Sequence, residues 1–176
     1  FLRVSSEYSD VKLLEEASEV GPKKLFIEGI FAQAEKKNRN GRIYTKPIME
    51  SAVNSYIENH VSKNRALGEL SHPENRPRVL PEMASHRITE LRMDGNDVYG
   101  KALILSTPQG NILKGLLDGG TQMGVSTRGL GSVSERAGAT YVGNDYMISA
   151  VDAVIDPSAL DAWVNAVNES QEWLVT

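Results

Sequence analysis

The sequence predicts an α+β fold, and three observations lead there. Segments with strand character outnumber helical ones, and the two kinds do not alternate as a doubly wound sheet would require. Asp94-Gly95-Asn96-Asp97 lies between two apolar runs and marks a tight antiparallel hairpin. With 176 residues, 40% of them hydrophobic, the chain can bury one core of its own but hardly two.

Taken in order, residues 1–22 are polar and weakly patterned, close on Gly21-Pro22, and read as a flexible or processed N-terminal arm. Residues 23–176 then make a single domain. A chain opening on Phe1 reads as an internal or processed piece. Lys24 to Ala34 reads as a strand through Leu25, Ile27, Ile30 and Ala32, followed by a charged loop from Lys36 to Arg42. Thr45 is a candidate helix cap and Pro47 suits the first turn, where its missing N–H costs nothing; Ile48, Ala52, Tyr56 and Ile57 then recur at helical spacing. The short apolar segment Ala66 to Leu70 runs into Ser71-His72-Pro73. Ala84 to Met93 and Val98 to Leu105 form the two hairpin strands. Thr107-Pro108 opens a second helix, striped by Ile112, Leu113, Leu116 and Leu117 and stopped at Gly119-Gly120. Met123 to Gly131 is punctuated by glycine, and Tyr146 to Ile155 is a long strand. Residues 157–174 read as a helix with Leu160, Trp163, Val164 and Val167 on one face.

Composition removes several function classes. Nineteen Lys and Arg against 23 Asp and Glu leave a formal charge of −4, so no basic face for nucleic acid is expected. Cysteine is absent, which excludes thiol nucleophiles, disulfide frameworks and Cys-ligated zinc. No apolar run approaches the roughly 20 residues that span a bilayer, and no signal peptide opens the chain, so no membrane partner is expected. Glycines 129 and 131 match no nucleotide fingerprint, and no cofactor is expected. His72-Pro73-Glu74 imitates half of a zinc deaminase motif without the cysteines, and Asp94-Gly95-Asn96-Asp97 lacks the ligand spacing of a calcium loop; no metal site is expected.

Of the three histidines, His60 reads as a solvated helix-end residue and His86 as a strand-face residue. His72 follows an apolar segment and precedes proline, which favours extended backbone at the end of a rigid element, a mount suited to a general base. The ordinary role of a lone His-Pro in a loop is structural. Ser126 stands in Gly124-Val125-Ser126-Thr127-Arg128-Gly129-Leu130-Gly131, where glycines admit a close-approaching backbone and N–H groups can meet an oxyanion. The plainer reading is a bulged, glycine-rich strand, and the Gly-x-Ser-x-Gly elbow is not matched. Asp152 and Asp156 fall on one face of their strand by alternation. An acid in so apolar a strand needs a partner, either an arginine for structure or a histidine for catalysis.

Together these segments resemble the prohead core proteases of large contractile-tailed bacteriophages. The resemblance is carried by Phe26-Ile27-Glu28-Gly29-Ile30-Phe31, Asn38-Arg39-Asn40-Gly41-Arg42-Ile43-Tyr44 and Ala66-Leu67-Gly68-Glu69-Leu70-Ser71-His72-Pro73. It continues through Gly95-Asn96-Asp97-Val98-Tyr99-Gly100, the segment around Ser126, and Val151-Asp152-Ala153-Val154 with Pro157-Ser158-Ala159. It implies His72 as the base, Ser126 as the nucleophile and Asp152 as the third member; Asp156 matches less well. Backbone N–H groups at Thr127, Arg128 and Gly129 become candidates for the oxyanion or for substrate binding. The implied fold is a mixed, mostly antiparallel barrel with peripheral helices, like that of the herpesvirus assembly proteases, so 23–176 would be a single protease domain.

The resemblance further implies a serine endopeptidase, with a homo-oligomer compatible with it, working inside the procapsid assembled in the bacterial cytoplasm. Its partners would be the scaffold, core and major capsid proteins, and finally itself, cut after a glutamate with Leu or Ile two residues earlier. Leu13-Leu14-Glu15 and Ile88-Thr89-Glu90 have that form, the second inside an expected strand. Arg42, Arg65, Arg87 and Arg128 are candidates for the glutamate pocket on charge alone. The competing reading is a non-catalytic scaffold or tube-like protein of the same fold. An esterase of small substrates finds no lid or elbow here.

Overall fold

The computed structural model describes residues 24–73 and 76–167. The expected arm at 1–22 lies outside them. Ten strands and two α-helices occur among the described residues. Strand β1 (Phe26–Gln33) precedes the two-residue β2 (Arg42–Ile43), helix α1 (Lys46–Asn59) and β3 (Leu67–Glu69). The hairpin β4 (Ala84–Asp94) and β5 (Asp97–Ile104) leads to helix α2 (Pro108–Asp118). Strands β6 (Gly124–Leu130), β7 (Val133–Arg136), β8 (Ala139–Val142), β9 (Met147–Val154) and β10 (Val164–Val167) complete the chain.

The pairing is mostly antiparallel, as the hairpin signal required. Strands run β10-β1-β5-β4-β3 in the largest sheet, β2-β8-β7 in a second and β6-β9 in a third. Among the described residues the ladders do not run on into a closed barrel, the form the resemblance implied. Two single bridges link their edges, Leu70 to Ala153 and Gly124 to Trp163. Gly95 takes a φ of 64° at the hairpin turn, a conformation open to glycine at no steric cost.

The core lies between the main sheet, β9 and the two helices. Helix α1 packs on β4 and β9, and α2 on β4 and β5. The buried stripe of α1 is Met49, Ala52, Val53 and Tyr56. Ile48 and Ile57, expected in that stripe, lie at its partly buried margin. In α2 only Leu113 of the expected stripe is fully buried, while Ile112 is exposed. Thr107 caps α2 by accepting from the Gly110 N–H at 3.0 Å. Thr45 occupies the cap position of α1 without a capping bond; the Glu35 carboxylate accepts from the Lys46 N–H at 2.7 Å instead.

The helix expected over 157–174 is corrected. Residues 157–162 form bends and a turn, and Val164–Val167 is β10, paired antiparallel with the edge of β1; 168–174 lie outside the described residues. An unpaired sheet edge satisfied the backbone of this segment better than its own helical bonds, an outcome that local apolar spacing does not encode.

Candidate active site

The site is assembled by β3, β6 and β9. Past Glu69 the chain runs alongside β9, with Leu70 bridged to Ala153 and the Ser71 N–H donating to the Ala153 carbonyl at 2.7 Å. Ser71 adopts a left-handed φ of 61°, an unfavourable state for a non-glycine residue that turns the chain into His72. His72 thereby comes over Asp152: its Nδ1 lies 2.7 Å from Oδ2. A carboxylate only accepts here, so Nδ1 carries a proton, and in the neutral imidazole the lone pair is therefore on Nε2.

Asp152 is completely buried. Its Oδ1 accepts from the Glu69 backbone N–H at 2.9 Å and from Arg128 Nη2 at 2.8 Å, and its Oδ2 accepts from Arg128 Nε at 3.0 Å. The acid in the apolar strand therefore has both kinds of partner, histidine and arginine. Burial pushes its carboxyl upward, but the bonds from His72 and Arg128, the Arg128 charge and the Glu69 N–H outweigh it and hold the group below the usual aspartate value.

Ser126 stands directly opposite Asp152 in the β6–β9 ladder and opens into the same cleft as His72. Its hydroxyl is 3.1 Å from that of Ser158 and makes no hydrogen bond to His72. Ser158 is delivered by the bend after β9. Arg39 ties that bend down, its guanidinium donating to the carbonyls of Pro157, Ala159 and Leu160 and its N–H to that of Ser158. Gly124 is needed beneath it, because a Cβ there would lie 2.5 Å from the Pro157 ring and 2.8 Å from the Ala162 carbonyl.

The remaining candidates separate clearly. Thr127 is buried, its hydroxyl 3.0 Å from that of Tyr146. Gly129 borders the cleft and lies so close to Tyr146 that a Cβ would stand 2.7 Å from its ring. Arg128 also borders the cleft, but its guanidinium is turned inward to Asp152 and to the carbonyls of Arg76 and Arg78. Asp156, expected to share a strand face with Asp152, lies beyond the end of β9, exposed at the cleft rim and without a bond to His72. Arg42 borders the same cleft and is exposed, whereas Arg65 and Arg87 do not line it.

His86 is fully buried rather than a plain strand-face residue. Its Nε2 donates to the Val151 carbonyl at 2.7 Å, so Nδ1 is left to accept from the Ser85 hydroxyl at 2.7 Å. His60 caps the end of α1, half-buried, with its ring stacked 4.9 Å from that of Tyr56. Four contributors escaped sequence reasoning: Glu69, Arg76, Ser158 and His86. Glu69 carried a readable signal, an acid inside Ala66–Leu70, and it pairs with Arg76 at 2.6 and 2.9 Å. Among the described residues no group of three or more His, Asp or Glu is placed to hold a metal ion.

This arrangement can do acyl-transfer chemistry: an oriented imidazole with a free ring nitrogen, and a serine hydroxyl in the same cleft. The family model described as prohead core protein serine protease, peptidase S77, matches residues 7–172. The prohead core protein protease of Enterobacteria phage T4 is 44% identical over 153 residues, covering 84% of this chain and 72% of that relative. The solved structure of the bacteriophage T4 capsid assembly protease, gp21, superposes with a TM-score of 0.73 at 41% identity, covering 76% of this chain and 84% of the other. With the family model spanning nearly all of the chain and the phage relative 44% identical over 84% of it, this chain belongs to the prohead core protein serine protease family.

Proposed function

We propose that the chain is a serine endopeptidase using Ser126 as nucleophile, His72 as general base and acid, and Asp152 as the group that orients and charges against His72. The observation that carries this reading is the 2.7 Å His72–Asp152 bond, placed in one cleft with Ser126. The Ser126 hydroxyl leaves Ser158 by a rotation about χ1 and gives its proton to His72 Nε2 as its Oγ attacks the scissile carbonyl carbon. Asp152 stabilises the imidazolium. Collapse of the tetrahedral intermediate breaks the C–N bond, His72 protonates the leaving amine, and water then releases the acyl group by the same steps in reverse. Backbone N–H groups along Thr127–Gly129 are the donors we assign to the oxyanion.

The substrates we infer are scaffold, core and major capsid proteins inside the procapsid, and the chain itself, cut after glutamate with Leu or Ile two residues earlier. Arg42 supports the acid preference. Arg39 is committed to main-chain carbonyls and Arg128 to Asp152, so Arg42 is the cleft arginine open to a substrate carboxylate. Ile88-Thr89-Glu90 lies within β4, protected in the folded chain; Leu13-Leu14-Glu15 lies outside the described residues.

The deciding experiment incubates wild type and Ser126→Ala with an unfolded protein rich in Leu/Ile-x-Glu sites and reads the products by mass spectrometry. Cleavage after those glutamates by wild type alone is expected. Cleavage by Ser126→Ala removes the serine mechanism, and no cleavage by folded wild type returns the scaffold or tube-like reading.

A further inference from the structure

We propose that the side chain of Arg128 is a positioning group: its guanidinium fixes the carboxylate of Asp152 beneath His72 and anchors the loop that leaves His72, and it touches neither substrate nor oxyanion. The inference rests on the serine peptidase reading above.

The geometry of the guanidinium carries it. Nε donates to Asp152 Oδ2 at 3.0 Å and Nη2 to Oδ1 at 2.8 Å, the planar fork that matches a carboxylate. Nη1 donates to the carbonyls of Arg76 at 2.9 Å and Arg78 at 3.1 Å, while Nη2 also lies 3.7 Å from Glu69 Oε2. Every nitrogen is thus engaged, and the side chain is only 9% exposed although its backbone borders the cleft. Nothing is left to reach a bound peptide.

The same contacts explain what the residue achieves. Asp152 accepts from His72, twice from Arg128 and from the Glu69 N–H, which occupies the lone-pair directions of both oxygens and leaves the carboxylate one orientation. His72 itself is partly exposed, on a segment with little cover of its own. That segment is tied down beyond the ring by Arg128 at residues 76 and 78, and by Glu69, which accepts from Arg76 and from the Leu80 N–H at 3.0 Å. One guanidinium therefore sets both the acid and the loop whose histidine must meet it.

Charge gives a readout that packing alone would not move. Facing Asp152 are Arg128 from β6, Glu69 from β3 and Arg76 from the following loop, with His86 of β4 and Tyr56 of α1 on the buried side. Arg39, Arg42 and Asp156 line the cleft together with His72. Removing Arg128 leaves Asp152 to hold a proton on His72 more firmly, so the acidic limb of the rate profile moves to higher pH.

The test measures kcat, KM and the pH profile of kcat/KM for wild type, Arg128→Gln and Arg128→Lys on one peptide with a Leu-x-Glu site, with melting temperatures alongside. We expect Arg128→Gln to lower kcat about 100-fold, the scale of a misplaced catalytic group, with little change in KM and the acidic limb displaced upward. Arg128→Lys, keeping the charge without the fork, holds the limb at its wild-type place and recovers part of kcat. A rise in KM with kcat and limb unchanged makes Arg128 a substrate contact and overturns the proposal. So does a loss equal at every pH that tracks the melting temperature. Where Arg128→Gln does not fold, Arg128→Lys decides: reduced kcat with the limb held supports positioning, and unchanged kcat rejects it. A fluorophosphonate adduct on wild-type Ser126 separates the two levels, since an adduct with wild-type rates in both variants rejects only the role of Arg128, whereas no adduct and no cleavage rejects the peptidase reading with it.

Discussion

Ser126 and Asp152 are direct cross-strand partners, yet their side chains bond in different directions, Ser126 to Ser158 and Asp152 to His72. The pairing brings the proposed nucleophile and the proposed acid within one strand spacing, about 5 Å. The histidine must then enter from a third strand, which it does through the continuation of β3 along β9.

Replacing Asp152 with Asn tests the acid. An amide can neither balance the imidazolium nor accept all four present bonds, and it presents a donor where His72 or Arg128 now donates. We expect kcat to fall by about 10⁴-fold, as when the acid of a serine protease triad is neutralised. Stability falls by about 3–5 kcal/mol, because the buried Arg128 loses its fork-matched carboxylate and keeps only the more distant Glu69 as a charged partner. Peptide kinetics and denaturant unfolding read the two effects separately; a variant within tenfold of wild type shows that Asp152 is not the acid.

Arg42→Gln tests the acid preference. A charge-assisted bond to a substrate carboxylate is worth about 1.5–3 kcal/mol, so kcat/KM for a peptide with glutamate before the scissile bond falls at least about tenfold. The matched glutamine peptide loses much less. Equal losses on both peptides assign the pocket to another residue.

Acid lability follows from His86. Burial holds its imidazole below the ordinary histidine value, against the opposing Val151 carbonyl and Asp152 charge. Below about pH 6.5 the unfolded chain binds a proton that the folded chain refuses, so stability declines as pH falls through that value, by at most about 1.4 kcal/mol per pH unit for one group. His60, also lowered by burial and by Arg65 and Lys63, adds in the same window. The depressed Asp152 and Glu69 add a further loss near and below about pH 4. Urea midpoints are therefore expected to fall between pH 7 and pH 5, and His86→Gln to flatten that fall. A slope unchanged in the variant refutes the assignment.

Gly68→Ala tests the packing under the site. A Cβ there would overlap the Val151 carbonyl and the His86 ring, backbone on one side and a doubly bonded side chain on the other. Overpacking of this kind costs about 1–3 kcal/mol, and because Gly68 adjoins Glu69 the loss reaches activity too. Equilibrium unfolding with full wild-type stability in the variant removes this account.

The sequence by itself determined the α+β class, the β4–β5 hairpin, both helices and the segments that hold His72, Ser126 and Asp152. Those rest on local physics: turn residues, apolar period, proline and glycine placement, and the cost of an acid among valines. The tertiary structure decided what depends on partners distant in the chain. Residues 157–167 became a bend and an edge strand because β1 offered unpaired backbone, and Asp152 proved distinct from Asp156 because β9 ends at Val154, before the second aspartate. The Arg128 side chain, a candidate for the glutamate pocket on charge alone, lies turned inward because the nearest uncompensated charge was the buried carboxylate on the neighbouring strand. Hydrogen-bond satisfaction and charge pairing are settled across the sheet, between residues 24 to 83 positions apart, and no local pattern in the chain records them.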